Sequence, residues 1–178
     1  DDGSATLLAA MQPRGADLRL IRLTRNFGKE AAMSAGIAHA RGEAVIVLDA
    51  DLQDPPELIP DMIAQWRAGA DVVQMQRRSR AGESWLKRSS AHAFYRLLAR
   101  LSPAPIPLDT GDFRLMSRRA VDALLRLPER NRYMKGLYAW IGLPTAILQY
   151  DRAARHAGRS KWRYTALAGL AMEGITSF

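Results

Sequence analysis

The sequence predicts an α/β fold with a mostly parallel sheet flanked by helices, and three observations support it. Apolar runs of strand length alternate with segments of helix length, which is typical of parallel sheets. One run, residues 44–48, has the β-branched content of a buried strand. Acidic residues follow it at once, and ligands of open α/β sheets bind outside the carboxyl ends of the strands. The same observations predict a binding site at the end of this strand.

The remaining elements follow from composition and periodicity. We expect helices over residues up to 12, 29–40, 56–68, 118–127 and 133–141, and strands over 19–23, 44–48, 71–76, 109–116 and 145–150. Asp54 is expected to cap the helix that Pro55 and Pro56 begin, because Asp is a favoured N-cap and proline suits the first turn. Residues 1–4 form an acidic turn of the kind that follows a strand, so we expect a first strand ahead of them.

Composition limits the class of protein and of partner. A chain of 178 residues is long enough for one domain with a real core. The absence of cysteine excludes a disulfide framework and a thiolate metal site. A net charge of +8 favours an anionic partner, which leaves nucleic acid, an acidic membrane and phosphorylated substrates open. No apolar run reaches the ~18 residues of a membrane span and no signal peptide is evident, so we expect this chain not to cross a bilayer.

Asp49 and Asp51 are the candidate metal ligands. Two carboxylates two residues apart at the end of a strand can reach one ion. Mg²⁺ prefers such oxygen ligands and completes its shell with water and substrate phosphates. We therefore interpret residues 49–57 as a metal-diphosphate site, with a solvated turn as the alternative.

Basic segments supply candidate contacts to phosphate or membrane. Arg77, Arg78 and Arg80 form a basic loop, and a predicted helix over 84–102 carries apolar and basic residues on opposite sides. This basic amphipathic helix either packs on the sheet or lies at an anionic membrane surface. The loop 155–162 combines glycine, serine and basic side chains, a composition that suits phosphate binding but also occurs in solvated loops.

Taken together, these motifs resemble the family 2 glycosyltransferases with the GT-A fold. More narrowly, the chain is similar to the polyprenyl-phosphate glycosyltransferases, which include dolichyl-phosphate mannose synthase and bacterial enzymes that load sugars onto undecaprenyl phosphate. The matching stretches span almost the whole chain in the family's order: residues 1–4, 25–32, 49–57, 111–115 and 155–162. The sequence departs from the family at its ends: it lacks the family's first strand, and it lacks the transmembrane helices that many bacterial members carry.

The resemblance implies roles for individual residues. Metal binding falls to Asp49, Asp51 and Gln53, and nucleotide-sugar binding to Asp1, Asp2, Lys29, Asp49 and Asp51. Asp112 and Asp51 are the implied catalytic residues. Contacts to the acceptor and to phosphates fall to Arg77, Arg80, Arg114, Arg155, Ser160 and Lys161. Arg78, Lys87 and Arg88 lie where the family has its acceptor loop and interfacial helices.

The implied activity is inverting transfer of a hexose from a UDP- or GDP-linked donor to polyprenyl phosphate, with Mg²⁺ or Mn²⁺ as cofactor. The implied location is the cytoplasmic face of the bacterial inner membrane. Residues 1–163 would form the catalytic domain, and 164–178 a juxtamembrane helical segment. Because a phosphate monoester is already anionic, with a second pKa near ~6, we interpret Asp112 as a positioning or electrostatic group first and a base second. Self-association is left open.

Three other functions are compatible with parts of the pattern. A glycosyltransferase for a polysaccharide or soluble acceptor would need a base for a hydroxyl, and its usual Gln-x-x-Arg-Trp motif is missing. A non-enzymatic module that binds nucleic acid is disfavoured because the aromatic residues, 7% of the chain, do not interleave with the arginines. A weakly active scaffold at an anionic membrane surface is the third.

Overall fold

A computed structural model describes residues 3–11, 17–51, 53–78, 110–128 and 134–151 of the chain. The chain divides into two compact units, residues 1–40 and 41–178. No helix within the described ranges is both long and apolar enough to cross a membrane.

The first unit contains two helices, α1 (Ser4–Met11) and α2 (Lys29–His39). Gly28 precedes α2 with a φ of 88°, a left-handed conformation that glycine adopts without strain, and its N–H donates to Asn26 Oδ1 at 2.9 Å. The prediction of a strand over 19–23 is wrong, because residues 17–23 form neither helix nor strand. A short apolar segment makes a strand only where a neighbouring strand pairs with it.

The second unit supplies the sheet. Its described elements are β1 (Ala44–Val47), a 3-10 turn (Pro56–Leu58), α3 (Ile59–Arg67), β2 (Val72–Arg77), β3 (Thr110–Ser117), α4 (Arg118–Leu125), α5 (Met134–Trp140) and β4 (Thr145–Tyr150). These bounds confirm the predicted elements to within a few residues, although the helix predicted from residue 56 begins as a 3-10 turn. The predicted amphipathic helix over 84–102 and residues 152–178 lie outside the described ranges.

The described sheet has the order β1-β3-β2-β4. β3 pairs antiparallel with both β1 and β2, whereas β2 and β4 are parallel. Three of these four strands therefore run in one direction, and the central β3 runs against them. The predicted α/β fold is confirmed, but the described sheet is mixed rather than uniformly parallel. The carboxyl ends of β1, β2 and β4 consequently lie at the same edge as the amino end of β3.

The core between α3 and one face of the sheet fixes the position of this edge. Its buried members are Met62, Val73, Met75, Phe113, Leu115 and Tyr150. Fully burying an apolar side chain of this size contributes about 1.5–3 kcal/mol. The last of these residues, Tyr150, ends β4, so the core extends to the edge where the strands converge.

At the opposite edge of the sheet, Ser117 joins β3 to α4. Its Oγ accepts a hydrogen bond from the N–H of Ala120 at 3.1 Å and so caps α4, and it donates to Asp71 Oδ1 at 2.6 Å. The cap satisfies an N–H that the helix leaves without an internal partner.

We predict that Ser117→Ala lowers the free energy of unfolding by about 1–2 kcal/mol, the usual cost of losing a serine cap. Urea denaturation followed by circular dichroism measures this change. Thr145→Ala is the control, because it removes only an exposed hydroxyl that donates to Leu143 O, and exposed changes stay within about 0.5 kcal/mol. Equal stability of Ser117→Ala and the unchanged chain would contradict the assignment of the cap.

Candidate active site

The candidate site lies where the carboxyl ends of β1, β2 and β4 meet the amino end of β3, which we call the convergent edge. It carries Asp49 and Asp51 after β1, Arg77 at the end of β2, Asp112 near the start of β3, and Tyr150 at the end of β4. Opposite charges thus meet at one edge of the sheet. Such an edge of an α/β sheet is where ligands bind.

The register of β1 and β3 brings two predicted acids to the same level. Their last pair joins Val47 and Arg114. Asp49 lies two residues beyond Val47 along β1, and Asp112 lies two residues before Arg114 along the antiparallel β3. Both acids therefore lie just past the end of the same ladder. The roles that the resemblance implies for Asp49 and Asp112 stay predictions.

The segment after β1 is folded back on itself. The N–H of Gln53 donates to Asp51 Oδ1 at 3.2 Å, and Gln53 is buried whereas Asp49 and Asp51 are half-buried. The side-chain oxygens of Asp49, Asp51 and Gln53 are ligands of the kind that suits Mg²⁺ or Mn²⁺. Within the described ranges, no three His, Cys, Asp or Glu side chains gather in a metal-binding cluster. The carboxylates of Asp49 and Asp51 fit an ion that takes the rest of its shell from a diphosphate and water.

Asp112 and Arg114 share one face of β3, because side chains two residues apart on a strand point the same way. Asp112 is buried, and Arg114 is only 1% exposed. The guanidinium of Arg114 lies over the ring of Tyr138 in α5, 3.6 Å from its centroid, and donates to Gly111 O at 2.7 Å. Arg114 thus supports the start of β3 from inside the protein. The phosphate contact that sequence analysis implies for Arg114 stays a prediction.

Arg77 lies on the other face, with Phe113 and Tyr150. Its side chain covers Gly111, because a Cβ added to that glycine would lie 3.2 Å from an Arg77 terminal nitrogen. The Nε of Arg77 is buried and has no hydrogen-bond partner within the described part of the chain. A residue larger than glycine at position 111 would require the guanidinium to shift by a few tenths of an ångström, so the absence of a side chain here leaves room for Arg77.

Asp54 and Tyr150 form a buried pair that sequence analysis missed. The Tyr150 hydroxyl donates to Asp54 Oδ1 at 2.5 Å, across 96 residues of sequence. Asp54 is 1% and Tyr150 4% exposed. The prediction that Asp54 caps the following helix is wrong, because Pro55 occupies the N-cap position of the 3-10 turn and no side chain caps that turn or α3. The only sequence signal is a lone tyrosine ending an apolar strand.

The other predicted site residues fall elsewhere. Lys29 begins α2 in the first unit. Several predicted residues lie outside the described ranges, namely Asp1, Asp2, Arg80, Arg155, Ser160 and Lys161, together with Lys87 and Arg88. Arg78 lies 3.9 Å from Asp151 in an exposed ion pair beside the convergent edge.

Comparison with known proteins shows the family. The model for glycosyl transferase family 2 matches residues 1–125, and the chain belongs to this family. It is 51% identical over 161 residues to an uncharacterized glycosyltransferase of Synechocystis, covering 90% of this chain and 51% of that protein. It is also 51% identical over 158 residues to the bactoprenol glucosyl transferase of Shigella phage SfV, covering 89% and 52%. The chain spans about half the length of these relatives.

A solved structure shares the fold. It is the glucosyl-3-phosphoglycerate synthase of Mycobacterium tuberculosis in complex with Mn²⁺, UDP-glucose and phosphoglyceric acid, at a TM-score of 0.51 and 20% identity. The match covers 84% of this chain and 53% of that one. This likeness confirms the predicted GT-A type of α/β fold.

We predict a pH-dependent loss of stability that depends on Tyr150. Burial, and next the hydrogen bond to Asp54, raise the pKa of Tyr150 to about 12, and the nearby Arg77 opposes them. Because this pKa exceeds the ordinary value of 10.0 for tyrosine, the stabilisation is complete below pH 10 and is lost as the pH rises through about 12. In urea denaturation across this range, the unchanged chain should lose more stability than Tyr150→Phe. Parallel losses would contradict the assignment.

Proposed function

We propose that the chain is the catalytic part of a polyprenyl-phosphate glucosyltransferase. Membership of family 2 and 51% identity to a bactoprenol glucosyl transferase support this proposal. The observation that carries it is the meeting of Asp49, Asp51, Asp112 and Arg77 at the convergent edge. In the reaction, the bond from the anomeric carbon to the donor diphosphate breaks and a bond to an oxygen of the lipid phosphate forms, with inversion.

Asp49 and Asp51 would hold Mg²⁺ or Mn²⁺ against the donor diphosphate, with Gln53 beside them. The ion supplies charge neutralisation for the departing diphosphate. The backbone hydrogen bond from Gln53 to Asp51 keeps that carboxylate oriented before the donor binds. Preorganised ligands of this kind need little rearrangement during the reaction.

Asp112 would position the reacting groups rather than act as a strong base. A phosphate monoester is largely ionised near neutral pH and needs little deprotonation. A carboxylate beside an anionic nucleophile repels it, so a nearby cation is required. Arg77 at the same edge is one such cation, and the predicted contacts of Arg80, Arg155 and Lys161 would add others.

The acceptor is a lipid, so the site must meet a membrane. The excess of basic residues supports attraction to an anionic cytoplasmic surface, where each Lys or Arg contributes about 1 kcal/mol. The proposed location is the cytoplasmic face of a bacterial inner membrane. The predicted basic helix over 84–102 would lie at that surface.

The experiment measures transfer of labelled glucose from UDP-glucose to undecaprenyl phosphate in vesicles with Mn²⁺, with GDP-mannose as the alternative donor. We expect Asp49→Asn and Asp51→Asn each to lower kcat/KM by about 100-fold or more, because each weakens the hold on an ion that supplies several kcal/mol. Asp61→Asn is the matched control, since it neutralises an exposed carboxylate in the first turn of α3.

Transfer by the unchanged chain that persists after either substitution at Asp49 or Asp51 would contradict the metal-diphosphate assignment. No transfer from either donor would contradict the proposed function. A product with the donor's own anomeric configuration would rule out a single displacement.

A further inference from the structure

Tyr150 and Asp54 lie beside the proposed donor site but take no part in the reaction described above. Asp54 closes the segment that carries Asp49, Asp51 and Gln53, and Tyr150 ends β4 on the far side of β2. Their hydrogen bond therefore ties the metal-binding segment to the opposite side of the convergent edge. This contact across 96 residues of sequence fixes the position of Asp54, which local structure alone would leave adjustable.

The tyrosine ring is held independently of this bond. It packs against Phe113 in an edge-to-face arrangement, with ring centroids 5.9 Å apart and an interplanar angle of 85°. Phe113 and Tyr150 both belong to the core beneath α3. Because packing fixes the ring, it also fixes the position of the hydroxyl. The hydrogen bond to this hydroxyl therefore fixes the position of the Asp54 side chain.

The same hydroxyl also faces Arg77. β2 and β4 pair in parallel with Arg77 opposite Tyr150, and Arg77 is close enough to the phenol to counteract part of the rise in its pKa. The guanidinium of Arg77 covers Gly111, next to Asp112. One phenol thus lies between a carboxylate that continues from the metal-binding segment and an arginine beside the proposed reacting centre.

A phenylalanine at position 150 would fill the core equally well without burying a hydroxyl. Burial of a hydroxyl and a carboxylate is costly unless they bond to each other, and a buried hydrogen bond adds only about 1 kcal/mol net. The pair is therefore a poor device for stability alone. It is well suited to fixing geometry, because the bond holds the two side chains, and the segments that carry them, at one separation.

We propose that Tyr150 is a positioning residue for the donor site, acting through Asp54 on the metal-binding segment and through its contact with Arg77 on the phosphate-binding side. This inference rests on the proposed function. In this role the hydroxyl acts on donor and metal only through these two side chains.

The test compares Tyr150→Phe with Ser117→Ala in the full chain. Tyr150→Phe removes the hydroxyl and keeps the ring. Ser117→Ala removes a bond of similar length, Ser117 Oγ to Asp71, five residues or about 17 Å along β3 from Asp112. Calorimetry measures the Kd of UDP-glucose with and without Mn²⁺, and urea denaturation measures stability.

We expect Tyr150→Phe to raise the Kd of UDP-glucose with Mn²⁺ by about 10-fold, the scale on which supporting partners of metal ligands act. Ser117→Ala should lower stability and leave the Kd unchanged. Asp54→Ala breaks the same bond from its other end and should match Tyr150→Phe. Asp54→Asn keeps an acceptor for the hydroxyl and should lose less affinity than Asp54→Ala.

The outcomes separate this inference from the function it rests on. If the unchanged chain binds UDP-glucose with Mn²⁺ and Tyr150→Phe binds equally well, the positioning role is overturned and the donor site stands. Equal losses of affinity in Tyr150→Phe and Ser117→Ala would also overturn it, since they would report stability alone. If the unchanged chain binds no UDP-glucose, both the donor site and the inference fail.

Should Tyr150→Phe not fold, Asp54→Ala and Asp54→Asn decide the question, and equal affinity for UDP-glucose in those two variants would overturn the positioning role.

Discussion

The antiparallel pairing of β3 between β1 and β2 is the constraint on which the candidate site depends. Because β3 runs against its neighbours, its first residues lie at the edge where β1 and β2 end. Asp112 therefore lies at the same end of the sheet as Asp49, and the strand itself places it there. A parallel strand in this position would have delivered its carboxyl end instead, and Ser117 rather than Asp112 would face the metal-binding segment. The direction of the central strand thus determines which of its side chains lie at the convergent edge.

The two faces of β3 carry different arginines at this edge. Asp112 and Arg114 occupy one face, and Arg114 is held inside by Tyr138 and by the carbonyl of Gly111. Arg77 occupies the other face, over Gly111. Gly111 is therefore a shared support, since its carbonyl accepts from one arginine and its missing side chain leaves room for the other. Under the proposed function, the phosphates of donor and acceptor would need cations here and the metal would need carboxylates, and the two faces of this strand end carry both kinds of side chain.

The parts of this arrangement that the sequence could predict are local ones. The run 44–48 identifies β1, which the structure confirms, and the acids after it define the proposed metal-binding segment, because hydrophobic pattern and strand-end chemistry depend on only a few neighbouring residues. The same reasoning over residues 19–23 predicted a strand that does not form, since alternation does not report whether a partner strand is present. The direction of β3, the stacking of Arg114 on Tyr138, and the bond between Asp54 and Tyr150 depend on contacts between distant residues. Asp54 also shows how a local rule can fail, because Pro55 occupies the N-cap position predicted for Asp54, and Asp54 bonds instead to Tyr150 in β4.

The central claim is that the ends of β1, β2 and β4 and the start of β3 form one metal-dependent donor site. Paramagnetic broadening of NMR signals by Mn²⁺ in the presence of UDP tests it most directly, because broadening depends on distance from the bound ion. The account predicts loss of the amide signals of Asp49, Asp51, Gln53 and Asp112, with those of Ser117 and Ala120 at the opposite edge remaining sharp. Broadening centred on the opposite edge, or spread evenly over the described residues, would contradict it.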